Sequence, residues 1–290
     1  MAIKKRGHVK NLTAGRPPTA RKPKSISRKA TKTLISTHHL LEKKKSQAVA
    51  RGDRAAENAI DTEIAALGGI EKYQQASLQG QRLDRGGDSS RVMMAWLKSM
   101  DSTLLSSAKP RLRMLEVGAL STTNACSRSG LFDMERIDLN SQSDGIIQQD
   151  FMKRPLPKDD PERFDIVSLS LVLNFVPDAM GRGAMLLRTL EFLKQPSMHY
   201  SDGLRDFFPS LFMVLPAPCV MNSRYMDESH LESIMNALGY VKVQSKITHK
   251  LVYYLWVRGS VTQSPPTTFK KTELRSGRSR NNFAIVLPSP

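Results

Sequence analysis

Only two cysteines, Cys126 and Cys219, occur in the 290 residues, so the chain has no disulfide framework. Six scattered histidines add no metal-ligand spacing, so neither structural zinc nor any other metal is expected, and a reducing compartment is the default. No stretch approaches the ~18 consecutive apolar residues that a membrane span needs, and no membrane partner is expected. The opening residues, Met1-Ala2-Ile3-Lys4-Lys5-Arg6-Gly7-His8, lack the apolar core of a secretory signal. Acids are scarce as well: 27 against 44 lysines and arginines, a net charge of +17. The rest suits a soluble globular core, with 40% hydrophobic residues and a mean hydropathy of −0.36. The length fits one large α/β domain with extensions, or two small domains.

The positive charge is unevenly placed. Residues 1–45 carry fourteen Lys or Arg against one acid, Glu42, and residues 259–290 carry five against one, Glu273. Residues 46–258 carry twenty-five of each sign, so the middle is balanced. Residues 1–27 are mostly Lys, Arg, Pro, Gly, Ser and Thr, too poor in large apolar groups to offset their ordering entropy, and are expected to be disordered. A basic arm of this kind serves nuclear or nucleolar targeting or phosphate contact, since counterion release favours polyanions; otherwise it is a solvated tail.

Residues 28–108 read as a helical extension. Leu34, Ile35, His38 and Leu41 share one face; Ala55, Ala59, Ile60, Ile64 and Leu67 share another. Gly68-Gly69 is a stop, and Ile70 to Leu78 reads as a further helix. Gly86-Gly87-Asp88-Ser89-Ser90 is a turn, with Asp88 or Ser89 capping a helix through Trp96.

From residue 109 to 290 the pattern becomes strands alternating with helices. Arg111–Gly118, Met134–Leu139 and Gly145–Gln149 are short strands, and Phe164–Asn174 is a long apolar run suited to a strand buried on both faces. Leu211–Leu215 is another strand, Val241–Val257 is strand-rich, and Phe283–Leu287 is expected as a last strand after a basic loop at about 259–281. Asp178–Lys194 and Asp227–Leu238 are helices, the second capped at Asp227 and stopped at Gly239. The expected fold is α/β: a mostly parallel, doubly wound, Rossmann-like sheet of seven strands behind an N-terminal helical extension.

Ligands of such sheets bind at the carboxyl ends of the strands. Glu116-Val117-Gly118 closes the first strand, Asp138 closes the second twenty residues later, and Asp150-Phe151 follows the third. A glycine there admits a ligand close to the backbone. An acid about 20 residues on accepts from ribose hydroxyls. Asp150 can take an exocyclic amine and Phe151 the face of an adenine. Singly, Gly118 is equally a turn glycine and Asp138 a helix cap. Ala119-Leu120-Ser121-Thr122-Thr123-Asn124 follows, so the G-x-G-x-x-G turn for a pyrophosphate is absent. The order of the three signals favours S-adenosyl-L-methionine over a dinucleotide. At the end of the fourth strand, Asn174 can bond a base edge and Phe175 can stack on one; equally, Phe175 is core and Asn174 caps the next helix. Both cysteines read as packing residues.

The chain resembles the fungal 25S ribosomal RNA adenine-N1-methyltransferases from about Thr33 to Leu287. The resemblance rests on Gly69–Ser77 (GIEKYQQAS), Gly86–Ser90 (GGDSS), Leu115–Leu120 (LEVGAL), Arg136–Asn140 (RIDLN), Gln149–Phe151 (QDF), Ser168–Pro177 (SLSLVLNFVP) and Arg280–Leu287 (RNNFAIVL). It implies a class I S-adenosylmethionine fold and methylation of an adenine N1 in large-subunit ribosomal RNA, free or in a pre-ribosome, with Gly118 and Asp138 as cofactor residues. It also supports the late strand near Phe283. Two alternatives stand beside it: a non-catalytic S-adenosylmethionine sensor that binds protein partners, and a protein or small-molecule methyltransferase, since fold does not choose the substrate.

Overall fold

The computed structural model describes residues 27–69, 71–72, 75–76, 87–98, 111–141, 143–196, 200, 202–259 and 268–287. The arm expected to be disordered lies outside them, apart from Ser27, whose hydroxyl accepts from the Ala30 amide at 3.2 Å and caps helix α1 (Arg28–Ala50). Arg51-Gly52-Asp53 breaks the chain, and Asp53 caps α2 (Arg54–Ala66). His38 and Leu41 on α1 are buried as their stripe predicts. The second stripe is not: α2 has no buried residue, and Ala55 and Ala59 are exposed. A Lys45–Asp61 ion pair at 2.6 Å ties the two helices. The further helix expected over 70–78 lies largely outside the described residues; 69, 71–72 and 75–76 are helical.

The remaining helices are α3 (Ser90–Leu97), α4 (Ala125–Arg128), α5 (Ala179–Phe192), α6 (Asp202–Arg205), α7 (Pro218–Met221) and α8 (Glu228–Ala237). The strands are β1 (Leu112–Val117), β2 (Phe132–Asp138), β3 (Ile147–Gln148), β4 (Ile166–Ser170), β5 (Ser210–Pro216), β6 (Tyr240–Ile247) and β7 (Leu251–Arg258). They form one sheet in the order β3-β2-β1-β4-β5-β7-β6. Only β7 runs against the rest, being antiparallel to both β5 and β6. This is the seven-stranded class I methyltransferase sheet. Central β4 and β5 are apolar without alternation because helices cover both faces: Ile166, Val167 and Leu169, and Leu211 through Leu215, are all buried.

One core holds Leu115, Leu169, Leu186, Ile234 and Trp256; the other holds Met114, Ile166, Phe212 and, from α3, Met93, Met94 and Leu97. The Trp96 ring meets Phe212 edge-on, 6.1 Å between centroids. A boundary at residue 109 therefore divides α3 from the sheet on which it packs.

Towards the C-terminus the strand-rich expectation is met and the last-strand expectation is not. Val241–Val257 is a hairpin that supplies two strands, β6 and β7. Phe283–Leu287 is not a strand. It is the buried end of an extended strap, residues 268–287, whose polar backbone groups are met by loops and side chains rather than by a ladder. Ser223 Oγ donates to Phe283 O at 2.6 Å, the Arg182 guanidinium donates to Ala284 O at 2.8 Å, and the Val286 amide donates to Ala179 O at 2.9 Å. The strap lies so close to α5 that a Cβ on Gly183 would sit 1.9 Å from Val286 O.

Candidate active site at the carboxyl ends of the sheet

β1 ends into Gly118, at φ +72°, a left-handed conformation that other residues reach only with strain. Its amide donates to Ile137 O on β2 at 2.8 Å, and a Cβ here would lie 2.7 Å from Val172 Cγ2 in the loop after β4. The loops after β1 and β4 thus meet at this glycine.

Glu116 faces Arg136 across the β1–β2 register. Its two carboxylate oxygens accept from Asn124 Nδ2 at 2.8 and 2.9 Å. Burial pushes the Glu116 carboxyl up to about 7, against the opposing pull of Asn124 and Arg136. Asn124 turns its Oδ1 to the Ser127 amide and caps α4.

The GGDSS motif does more than cap a helix. Asp88 Oδ1 accepts from the Ser90 amide at 2.9 Å and from Ser90 Oγ at 2.5 Å, while Asp88 Oδ2 accepts from the Ala125 amide at 2.6 Å. Ser89 Oγ lies 2.8 Å from Ser170 Oγ at the end of β4. One short segment therefore ties α3 to the loop after β1 and to the end of β4. Sequence reasoning missed these ties because the partners lie 37 and 81 residues away; the only signal was the motif's distinctiveness.

Asp138 ends β2 beside Gly118, with Oδ1 accepting from the Asn140 amide at 2.8 Å. The Gln149 amide donates to Asp138 O, which sets Asp150 at the next strand end. Asp150 Oδ1 caps the turn of 3₁₀ helix at 151–153 through the Met152 amide, at 2.8 Å. Phe151 does not reach the site. It is only 3% exposed, with its ring 5.1 Å from Phe192 and the Arg188 guanidinium over it. The aromatic expected against an adenine is a core residue, because the chain turns inward at the position after Asp150.

β4 is shorter than the apolar run suggested. It stops at Ser170, and Leu171 takes φ +59°, a strained conformation for a branched residue. The Leu171 amide donates to Val214 O of β5 at 2.9 Å, which holds it there. A 3₁₀ turn over Leu173–Phe175 follows. Asn174 does not cap the next helix: Asp178 does, accepting from the Gly181 amide at 2.7 Å. Asn174 Oδ1 is instead buried with no hydrogen-bond partner, and Phe175 is 37% exposed beside it. An unpaired buried carbonyl oxygen is costly and favours a ligand that donates to it.

Cys126 and Cys219 are buried, and burial pushes both thiols up to about 12, so neither is a nucleophile at neutral pH. Among the described residues no group of three or more His, Cys, Asp or Glu is placed to hold a metal. No helix among them is long and apolar enough to cross a membrane.

Residues 58–285 match the model of the family described as 25S rRNA (adenine(2142)-N(1))-methyltransferase, Bmt2. The chain belongs to this family. Its relatives include the 25S rRNA adenine-N(1) methyltransferase of Schizosaccharomyces pombe, 38% identical over 87% of this chain and 89% of that protein. The 25S rRNA (adenine(2142)-N(1))-methyltransferase of Saccharomyces cerevisiae is 38% identical over 79% of this chain; the match spans 63% of that protein. Among solved structures, the 16S rRNA methylase RmtB is similar at 12% identity and a TM-score of 0.40, over 79% of this chain and 98% of that one. The 1,6-didemethyltoxoflavin-N1-methyltransferase of Burkholderia thailandensis is similar at 12% identity and 0.39, over 64% and 87%. The span matched by the Bmt2 family model runs from α2 to Ile285, so it takes in the GGDSS segment, the whole sheet and most of the strap.

Proposed function

We propose that this chain transfers a methyl group from S-adenosyl-L-methionine to N1 of an adenine in large-subunit ribosomal RNA, in the nucleolus, during ribosome assembly. The observation that carries the reading is the contact of Gly118 with Val172, which brings the cofactor-side loop against the loop that bears Asn174 and Phe175. The residues at the strand ends suit the cofactor by their chemistry. Ribose hydroxyls and an adenine amine are donors, and Asp138 and Asp150 offer acceptor oxygens at adjacent strand ends. Gly118 leaves room for a close approach, and no glycine-rich phosphate turn follows it.

When bound, S-adenosylmethionine would supply a methyl group activated on a sulfonium: the neutral N1 lone pair would form the N1–CH3 bond in line as the S–CH3 bond breaks, and S-adenosylhomocysteine would leave. The protein's task is then placement, and orientation supplies most of the effect. Asn174 Oδ1 accepts from the 6-amino group of an adenine, and a guanine, with a carbonyl at that position, has no donor to give. Phe175 offers a face for stacking. The product ring is cationic, so the Asn174 amide oxygen also favours the charge that develops. N1 lies on the pairing edge, so a paired adenine is first extruded, at a few kcal/mol.

The test is transfer of a labelled methyl group to large-subunit ribosomal RNA lacking the modification, followed by nucleoside analysis. Label in 1-methyladenosine, absent with Gly118→Arg, is the expected result. Cofactor binding without transfer to naked RNA or pre-ribosomes would refute the reading and leave a non-catalytic sensor acting through protein partners.

A further inference from the structure

The strap carries Lys270, Lys271, Arg278 and Arg280; the first three are exposed and Arg280 is half-buried. It has neither helix nor strand, yet it is held firmly to the loop after β5. Arg224 O accepts from the amides of Leu274 and Arg275, Asn222 O accepts from the Asn281 amide, and Pro218 O accepts from Asn281 Nδ2 at 2.6 Å. The Arg275 guanidinium donates to Val220 O and Met226 O, and Arg224 donates to Gly277 O and Asn282 Oδ1. Lys271 Nζ lies 4.3 Å from the centroid of the Tyr225 ring.

A second group of cations comes from the β6–β7 hairpin. Because β7 opposes β5 in direction, its turn reaches the carboxyl ends of the sheet, where the Ala217 amide donates to Lys250 O at 2.8 Å. Lys246 and Lys250 are exposed there. Of the acids nearby, Asp178 and Asp227 cap helices and Glu273 is exposed on the strap. The face is therefore polarised. Glu116, Asp138 and Asp150 stand at the ends of β1 to β3, and the cations stand on the β5 side, where the strap bonds α5 just beyond Asn174.

We propose that Lys270, Lys271, Arg278, Lys246 and Lys250 form a phosphate-binding rim that grips the RNA backbone flanking the acceptor adenine. The proposal rests on the RNA methyltransferase reading. Ordering a segment with no regular structure is costly, and cations fixed in advance lose less freedom on binding. The rim thus sets the position of the RNA, a role distinct from the non-specific attraction of a basic arm.

The test uses the full chain with Lys270→Glu, Lys271→Glu and Arg278→Glu combined. Affinity for large-subunit ribosomal RNA is measured over a salt series, methyl transfer at subsaturating RNA, and cofactor affinity by calorimetry. Three lost phosphate contacts flatten the log–log salt slope by about 2–3, and RNA affinity and transfer fall at least about tenfold, while cofactor affinity holds. An unchanged slope with cofactor binding intact would overturn the rim. If the reversal also weakens cofactor binding, the Gln versions of the same positions decide by the same slope. Loss confined to pre-ribosomes, with naked RNA bound as before, would also overturn it and point to an acidic protein. Wild-type chain that neither binds nor methylates RNA refutes the function itself, whereas active wild type with an unaffected variant refutes the rim alone.

Discussion

Replacing Gly118 by alanine isolates the contact between the two loops. The new Cβ meets two penalties. Its left-handed φ of +72° costs a residue other than glycine roughly 1–2 kcal/mol. The 2.7 Å approach to Val172 Cγ2 is overpacking against a stiff, branched side chain, at about 1–3 kcal/mol. The sum is about 2–5 kcal/mol, a fall in Tm of about 2–4 °C for each kcal/mol in a chain of this size. Urea unfolding followed by tryptophan fluorescence reads it, since Trp256, on β7, is buried in the core. The second arm is Val172→Ala. Alone it removes packing and destabilises by about 1 kcal/mol. Combined with Gly118→Ala it removes the clash, so the double variant is more stable than the sum of the singles by about 1–3 kcal/mol, and only the backbone penalty remains. Calorimetry should show weak cofactor binding in Gly118→Ala, partly restored in the double variant. Additive stabilities to within about 0.5 kcal/mol would refute the contact and the juxtaposition of donor and acceptor loops drawn from it.

Three further outcomes are expected. Glu116 has its carboxyl raised in the fold, so the native state holds a proton that the unfolded chain releases from about pH 4.5 upward. Stability therefore falls as pH rises towards about 7, and in Glu116→Gln, which cannot ionise, that slope disappears from a pH series of unfolding midpoints. Asn174→Ala removes a buried oxygen without a partner, so the unfolding midpoint should not drop, while single-turnover transfer to RNA falls roughly a hundredfold; a normal rate would remove Asn174 from the site. In Gly183→Ala the Cβ strikes Val286 O, and hydrogen exchange at Val286 should rise well above wild type while β4 and β5 stay protected.

Features that speak locally were readable in the sequence. Asp227 caps a helix where a capping residue precedes an apolar period, and Gly118, Asp138 and Asp150 stand at the ends of apolar runs. The two-faced burial of β4 also showed, as a run without alternation. What failed is what depends on distant partners. A short apolar run such as Phe283–Leu287 is the same string whether its amides enter a ladder or meet a loop, so strap and strand are alike in sequence. Phe151 looked available because it follows an acid at a strand end, but the turn capped by Asp150 aims it inward. Leu171 carried no sign of its left-handed backbone, which is imposed by its bond to β5.

The strap also fixes an order of events during synthesis. Its residues leave the ribosome after all seven strands, so the sheet and the cofactor-side loops can form while the β5 side still lacks its covering segment. On the function and the rim proposed above, the nascent chain would gain the strand ends that hold the methyl donor before the cations that grip the acceptor. A protein truncated near residue 260 should fold around its sheet and bind the cofactor, yet transfer nothing.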